Sequence, residues 1–387
     1  MKFTINCLLL FQAVKAASAA VRPNKSLPAL NCLLFQADSI AGEVKVTGTN
    51  PQTQVQKIVR GVNIERGGSG VILSKVIYDI LQRAGNQTVS IEMVGTEMVI
   101  LFGRTRYAIP TYPERDYPLI QYSFPNDTIH INKLDSLIRR TGYATTIRED
   151  TPMSRCIKMY LKNETSKAYA TDGRRMVAAE ADSVSDGEFE AVIPEDALRT
   201  LCSLTTAKEE FFMGKAGAYA VIFNADTIFV TRLMSGAFFD IENLLAQVEP
   251  VHSAILDSKQ FYSALSSVAA CLQPYDCQCV NLVLKENHLV MSVLTYAGIS
   301  HSKVVAEYDV NTSNKGYNYQ PDLILEFLRT ATGPLHLFID KSGLLILMAN
   351  QTKYAVVPRR AATAVAPPEY ASAKSKKTKA KTMSHAA

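Results

Sequence analysis

The sequence predicts an α+β protein made of three tandem domains, each with two helices packed on antiparallel sheet. Three observations point there. A pattern of helix, strands, helix, strands recurs three times along the chain. The second helix of each repeat begins near residue 74, 194 or 321, a period of about 120–127 residues, far longer than a solenoid repeat. The 387 residues hold three such units, with a tail left over, and 47% hydrophobic against 20% charged residues is globular composition. The expected boundaries are 1–121, 122–248 and 249–360, followed by a disordered basic tail over 361–387.

The first helices of the repeats read as Leu8–Ala19, Lys133–Tyr143 and Ser258–Leu272. In the third, Phe261, Leu265, Val268 and Leu272 share one face, and Asp257 with Gln260 forms a capping-box-like start. Alternating runs follow each: Leu33–Gln36 with Val44–Thr47, Ile157–Leu161 with Ala168–Ala170, and Val280–Leu284 with Leu289–Leu294. The second helices read as Ser74–Arg83, Pro194–Leu204 and Pro321–Thr330, two of them opening on a proline whose missing N–H costs nothing there. Hairpin-like pairs close each unit: Val89–Met93 with Met98–Phe102, Phe211–Met213 with Ala220–Phe223, and His336–Ile339 with Leu344–Met348.

Charge is unevenly placed. The net charge is +5, and Ala361–Ala387 holds five lysines against the single acid Glu369, so the body is nearly neutral. Bulk charge therefore gives no argument for nucleic-acid binding, which must come from local placement. Seven scattered cysteines suggest reduced thiols in a cytoplasm rather than a disulfide framework. Lys2, Leu8–Phe11 and Ala17–Ala20 imitate a secretory signal, but Asn6, Gln12 and Lys15 interrupt the apolar stretch, and Leu8, Phe11 and Lys15 fit an amphipathic segment. No apolar run approaches the roughly 18 residues of a membrane helix.

Catalytic readings fare badly. Six scattered histidines form no metal-binding pair, and there is no G-x-S-x-G elbow. Gly67-Gly68-Ser69-Gly70 before Ser74-Lys75 resembles a phosphate loop but lacks its G-K-[ST] ending, so a flexible loop ahead of a helix is expected. Asp172-Gly173 signals a turn and Glu149-Asp150 a solvated loop. No metal, cofactor or catalytic residue is expected.

Three domain-sized repeats without catalytic chemistry suggest a scaffold, and short segments sharpen that. Met1–Thr4, Leu27-Pro28-Ala29-Leu30, Thr47-Gly48-Thr49, Gly103-Arg104-Thr105-Arg106-Tyr107 and Asp116-Tyr117-Pro118 occur in order. Ala170-Thr171-Asp172-Gly173-Arg174-Arg175-Met176, Gly236–Asp240 and Tyr354-Ala355-Val356-Val357-Pro358-Arg359-Arg360 follow. In this order they resemble the bacterial sliding clamp, the beta subunit of DNA polymerase III, over roughly residues 1–360. The most specific segment is Ala170–Met176, against A-T-D-G-H-R-L.

The resemblance implies clamp-type domains and a head-to-tail ring of two chains, with helices lining the hole and sheets forming the outer wall. It implies a processivity factor that encircles duplex DNA without reading sequence, because phosphates carry the charge but not the code. Candidate phosphate contacts are Lys15, Lys75, Arg83, Lys133, Arg139, Arg140, Arg199, Lys259 and Arg329, with Arg22, Lys25 and Arg148 in adjoining loops. Acids share those helices (Asp79, Asp135, Glu195, Asp196, Asp322, Glu326), and Glu195-Asp196 stands where the family often has basic residues. Implied partners are the replicative polymerase subunit, the clamp loader and other proteins with a clamp-binding motif. Their peptide would dock against Thr171, Gly173, Arg174, Arg175, Met176, Phe239, Leu244, Val356, Val357, Pro358, Arg359 and Arg360. Arg174 for histidine, Phe239 for proline and Arg359 for methionine imply a more basic, differently shaped pocket. Ring closure would set Arg104, Arg106 and Tyr107 of one chain against Cys271 and Leu272 of the next. The alternatives are a clamp-like accessory scaffold without efficient closure, and an exported or enzymatic protein. A cytoplasmic location goes with the first reading.

Overall fold

The computed structural model describes residues 1–132, 134–146, 151–182, 184–205, 210–273, 278–285, 287–295, 298–310 and 316–359. The candidates Lys133, Arg148 and Arg360, the Glu149-Asp150 segment and the basic tail lie outside the described residues. Seven α-helices are found among them: α1 Cys7–Ser18, α2 Ser74–Ala84, α3 Leu134–Thr141, α4 Glu195–Leu204, α5 Ile241–Ala246, α6 Ser258–Ala269 and α7 Pro321–Leu328. The chain divides into two compact units, one of residues 1–138, 148–168 and 181–238, the other of 139–147, 169–180 and 239–387.

In the first unit, five antiparallel strands run in the order Asn63–Arg66, Lys2–Asn6, Thr88–Val94, Glu97–Phe102, Thr105–Pro110. An eight-stranded sheet has the order Ile129–Ile131, Phe211–Ala216, Tyr219–Phe223, Thr227–Arg232, Thr53–Arg60, Glu43–Thr49, Cys32–Asp38, Gly68–Leu73. Its middle joins segments far apart in sequence: Phe229 pairs with Val55 and Thr231 with Thr53. The Gly67–Gly70 segment is no flexible loop. Gly68–Leu73 is a strand on Cys32–Asp38, and a Cβ at Gly70 would lie 2.8 Å from the Met93 sulfur, so its glycine serves packing rather than phosphate binding.

The helices sit on this sheet because one face of each is apolar. Cys7, Leu10, Ala13, Val14 and Ala17 of α1 are buried with Ile77, Ile80, Leu81 and Ala84 of α2 and with sheet residues Phe3, Leu33 and Phe35. The Ser18 and Ser74 hydroxyls, 2.8 Å apart, bring the end of α1 to the start of α2. A Cβ at Gly48 would stand 2.0 Å from the Ala17 carbonyl oxygen, so this close helix–sheet approach requires glycine.

In the second unit, six strands run in the order Arg175–Asp182, Thr352–Val356, Leu345–Ala349, Pro334–Asp340, Pro250–Asp257, Glu307–Val310. A four-stranded sheet has the order Gly298–Val305, His288–Thr295, Val280–Lys285, Tyr317–Tyr319. Helix α6 begins where Asp257 accepts the Gln260 amide at 2.8 Å, as its capping pattern predicts, and it buries Phe261, Leu265 and Val268. It ends at Ala269, short of the expected Leu272. Tyr354, fully buried, stacks on Phe327 of α7 at 5.0 Å and donates its hydroxyl to the Leu323 carbonyl at 2.7 Å.

Candidate functional site

The Ala170–Met176 segment is a turn whose side chains hold their own backbone. The Asp172 carboxylate accepts the amides of Arg174 (2.9 Å) and Arg175 (3.1 Å), and the Thr171 hydroxyl donates to the Arg175 carbonyl at 2.7 Å. Gly173 takes φ +82°, the left-handed conformation that favours glycine. Beyond the turn Arg175 pairs with Val356 and Met176 with Ala355, and the Val357 amide donates to the Arg174 carbonyl at 3.0 Å. Two segments some 180 residues apart are thereby zipped together.

Helix α5 arrives beside them. The Tyr169 hydroxyl, two residues before Thr171, donates to Glu242 at 2.8 Å, while Asp240 caps the helix through the Asn243 amide and Ile241 is buried as its anchor. Burial, aided by the Glu242 carboxylate, holds the Tyr169 hydroxyl protonated, its pKa well above the usual phenol range. Phe239 is left 48% exposed, Leu244 49% and Val357 42%. Pro358 and Met176 are half-buried, Thr171 and Val356 are buried, and Gly173, Arg174 and Arg359 are exposed. The Arg359 amide donates to the Asn318 carbonyl at 2.7 Å, and Arg174 reaches Gln320 at 3.5 Å. Exposed apolar side chains beside a strand end, rimmed by two arginines, can receive an apolar peptide.

Arg175 is built differently from its neighbours. Its side chain is buried; Nε meets Asp172 at 3.2 Å, Nη1 pairs with Glu326 of α7, and Nη2 donates to the Tyr143 carbonyl. All three nitrogens are engaged inside the fold, so Arg175 holds the turn and α7 together. Sequence reasoning placed Glu326 among acids on a DNA-facing helix and missed Tyr143; the available signal was Asp172, three residues ahead of the arginine.

The basic candidates separate in the same way. Lys15 of α1, Lys75 and Arg83 of α2, and Lys25 are exposed on the first unit. Arg22 is exposed too, but its guanidinium is tied to the Ala19 carbonyl (2.7 Å) and the Thr200 hydroxyl (3.1 Å). Arg199 pairs with Glu195 at 2.7 Å; burial pushes that carboxyl up against the pull of the arginine. On the second unit Lys259, Arg139 and Arg329 are exposed, the last donating to the Tyr262 hydroxyl and lowering its pKa. Arg140 is half-buried and donates to the carbonyls of Asn350 (2.6 Å) and Glu180 (2.8 Å), a structural post.

The closure candidates divide between a sheet edge and the end of a helix. Thr105–Pro110 is the terminal strand of its sheet, with Tyr107 half-buried against the core and its ring 5.9 Å from Phe102; Arg104 and Arg106 are exposed. Cys271 is exposed and Leu272 half-buried, just past the end of α6. That helix packs against Gly298–Val305, itself a terminal strand and absent from the sequence-based candidates.

Comparison with known proteins agrees with this geometry. Residues 1–121 match the model of the DNA polymerase III beta subunit, N-terminal domain. The beta sliding clamp of Bacillus subtilis (strain 168) is 24% identical over 278 residues, covering 68% of this chain and 73% of that protein. That of Pseudomonas putida KT2440 is 22% identical over 251 residues, 63% of this chain and 68% of that protein. Among solved structures, the sliding clamp from Bacillus subtilis superposes with a TM-score of 0.86 at 20% identity, covering 94% of this chain and all of that one. A DNA polymerase III beta subunit from Eubacterium rectale gives 0.86 at 16% identity, covering 93% of this chain. The fold, the N-terminal match and the curated relatives make this chain similar to the beta sliding clamps of DNA polymerase III.

Proposed function

We propose that two copies of this chain, each of three domains over 1–121, 122–248 and 249–360, close head-to-tail around duplex DNA as a non-catalytic processivity factor in the cytoplasm. The observation that carries the ring is the pair of terminal strands, Thr105–Pro110 and Gly298–Val305, one in each unit. An open sheet edge presents unpaired backbone donors and acceptors, and a head-to-tail contact that satisfies both edges twice generates a closed ring. Lys15, Lys25, Lys75, Arg83, Arg139, Lys259 and Arg329 supply phosphate contacts; Arg22, Arg140 and Arg199 chiefly hold structure.

Polymerase, loader and other partner peptides dock on Met176, Phe239, Leu244 and Val357, with Arg174 and Arg359 at the rim and Arg175 as the positioning residue beneath. After loading, the protein should stay on circular DNA and be lost when that DNA is cut, since retention comes from enclosure. Equal retention on both forms would mean ordinary binding. The accessory-scaffold reading keeps one specific support, the charge on the two edges.

A further inference from the structure

Strands laid edge to edge stand about 4.8 Å apart, so outward side chains on the two meeting strands become near neighbours. On the first unit Tyr107 and Ile109 turn to the core, which leaves Arg106 and Ala108 outward, with Arg104 in the turn before them. On the second unit Val304 is buried on the side of α6, and the alternation puts Ile299, His301, Lys303 and Val305 outward, all exposed. Among the described residues no ion pair forms to Arg104, Arg106, His301 or Lys303. The neighbouring strand offers no acid, since Leu294, Ser292, Val290 and His288 stand opposite Ile299, His301, Lys303 and Val305. Helix α6, packed on the other face, carries Lys259 as its one charged residue. Both edges are basic where they would meet. On the strand paired with the first edge the one acid is Glu97, opposite Pro110 and past the arginines.

We propose that closure of this ring works against like charge across the joint, so that salt strengthens it. The proposal rests on the ring reading above. Burial of Ile299, Val305 and Tyr107 and the new backbone hydrogen bonds drive closure; Arg104 and Arg106 against Lys303 oppose it. The usual surface ion pair behaves in the opposite sense, weakening as salt rises.

Sedimentation equilibrium of the full chain tests this between about 20 and about 300 mM NaCl, over which the screening length shrinks roughly fourfold. The dimer should tighten several-fold, to about tenfold, across that range. Lys303→Glu should give a tighter dimer at low salt whose affinity falls as salt is added. A wild-type dimer that weakens with salt overturns the charge proposal and leaves the ring standing. A chain that stays monomeric at every salt concentration, with Lys303→Glu no different, overturns both.

Discussion

Arg175 and the pair Arg104 and Arg106 are the same side chain in opposite settings. Arg175 is buried, with a carboxylate on Nε, another on Nη1 and a carbonyl on Nη2. Arg104 and Arg106 stand exposed on a terminal strand. A buried guanidinium is held by its partners and cannot leave them without stranding Asp172 and Glu326, whereas an exposed one is available to whatever arrives. The first would therefore shape the proposed peptide groove from beneath, and the second would set the terms on which another chain docks.

Removing the buried partner should have the largest effect. Arg175→Met leaves two carboxylates without their cation and should cost about 3–5 kcal/mol, read as a large drop in Tm. If the variant instead melts like the wild type while losing peptide affinity, Arg175 touches the peptide directly and the contrast collapses. Met176→Ala with Val357→Ala sharpens it from the other side. Truncating apolar anchors commonly costs ~2 kcal/mol, about thirtyfold in peptide affinity, and the exposure of Val357 means little loss of Tm. Unchanged affinity in a well-folded double mutant would remove this groove as the docking site. The smallest effect belongs to the tail. Deleting Lys374–Lys381 should weaken direct DNA binding and flatten its salt dependence by at most ~0.9 log unit per lost phosphate contact. An unchanged slope would make these lysines bystanders.

Much of the architecture was legible because local chemistry agreed with the final fold. The Asp257 cap announced α6, the Thr-Asp-Gly sequence announced the turn that Asp172 and Gly173 make, and the alternation at Val280–Leu284 and Leu289–Leu294 announced a real pair. What stayed hidden was long-range. Nothing near Thr53–Arg60 says that its neighbour is Thr227–Arg232, and nothing near Gly68–Leu73 distinguishes a glycine-rich strand from a loop until Met93 is seen packed on Gly70. The site divides likewise. Phe239, Leu244 and Val357 could be named from family likeness, but not that Arg175 and Arg140 are held inside, since a charged residue is ordinarily read as a surface one. The strand Gly298–Val305 escaped for a different reason: its Ser-His-Ser-Lys centre reads as polar loop, and only its place at the end of a sheet gives it meaning.

The ladder between Thr53–Arg60 and Thr227–Arg232 has a mechanical consequence. It is reinforced by Lys57 on the Thr227 hydroxyl at 2.8 Å and by Arg60 on Asp226. A prying load across the proposed boundary near residue 121 would have to shear several such links at once rather than peel them singly. That seam is stiff, and it makes a poor hinge. In the proposed ring, any device that opens it must direct its work to a compliant element instead, and a joint held together against its own charge would be the natural place to yield.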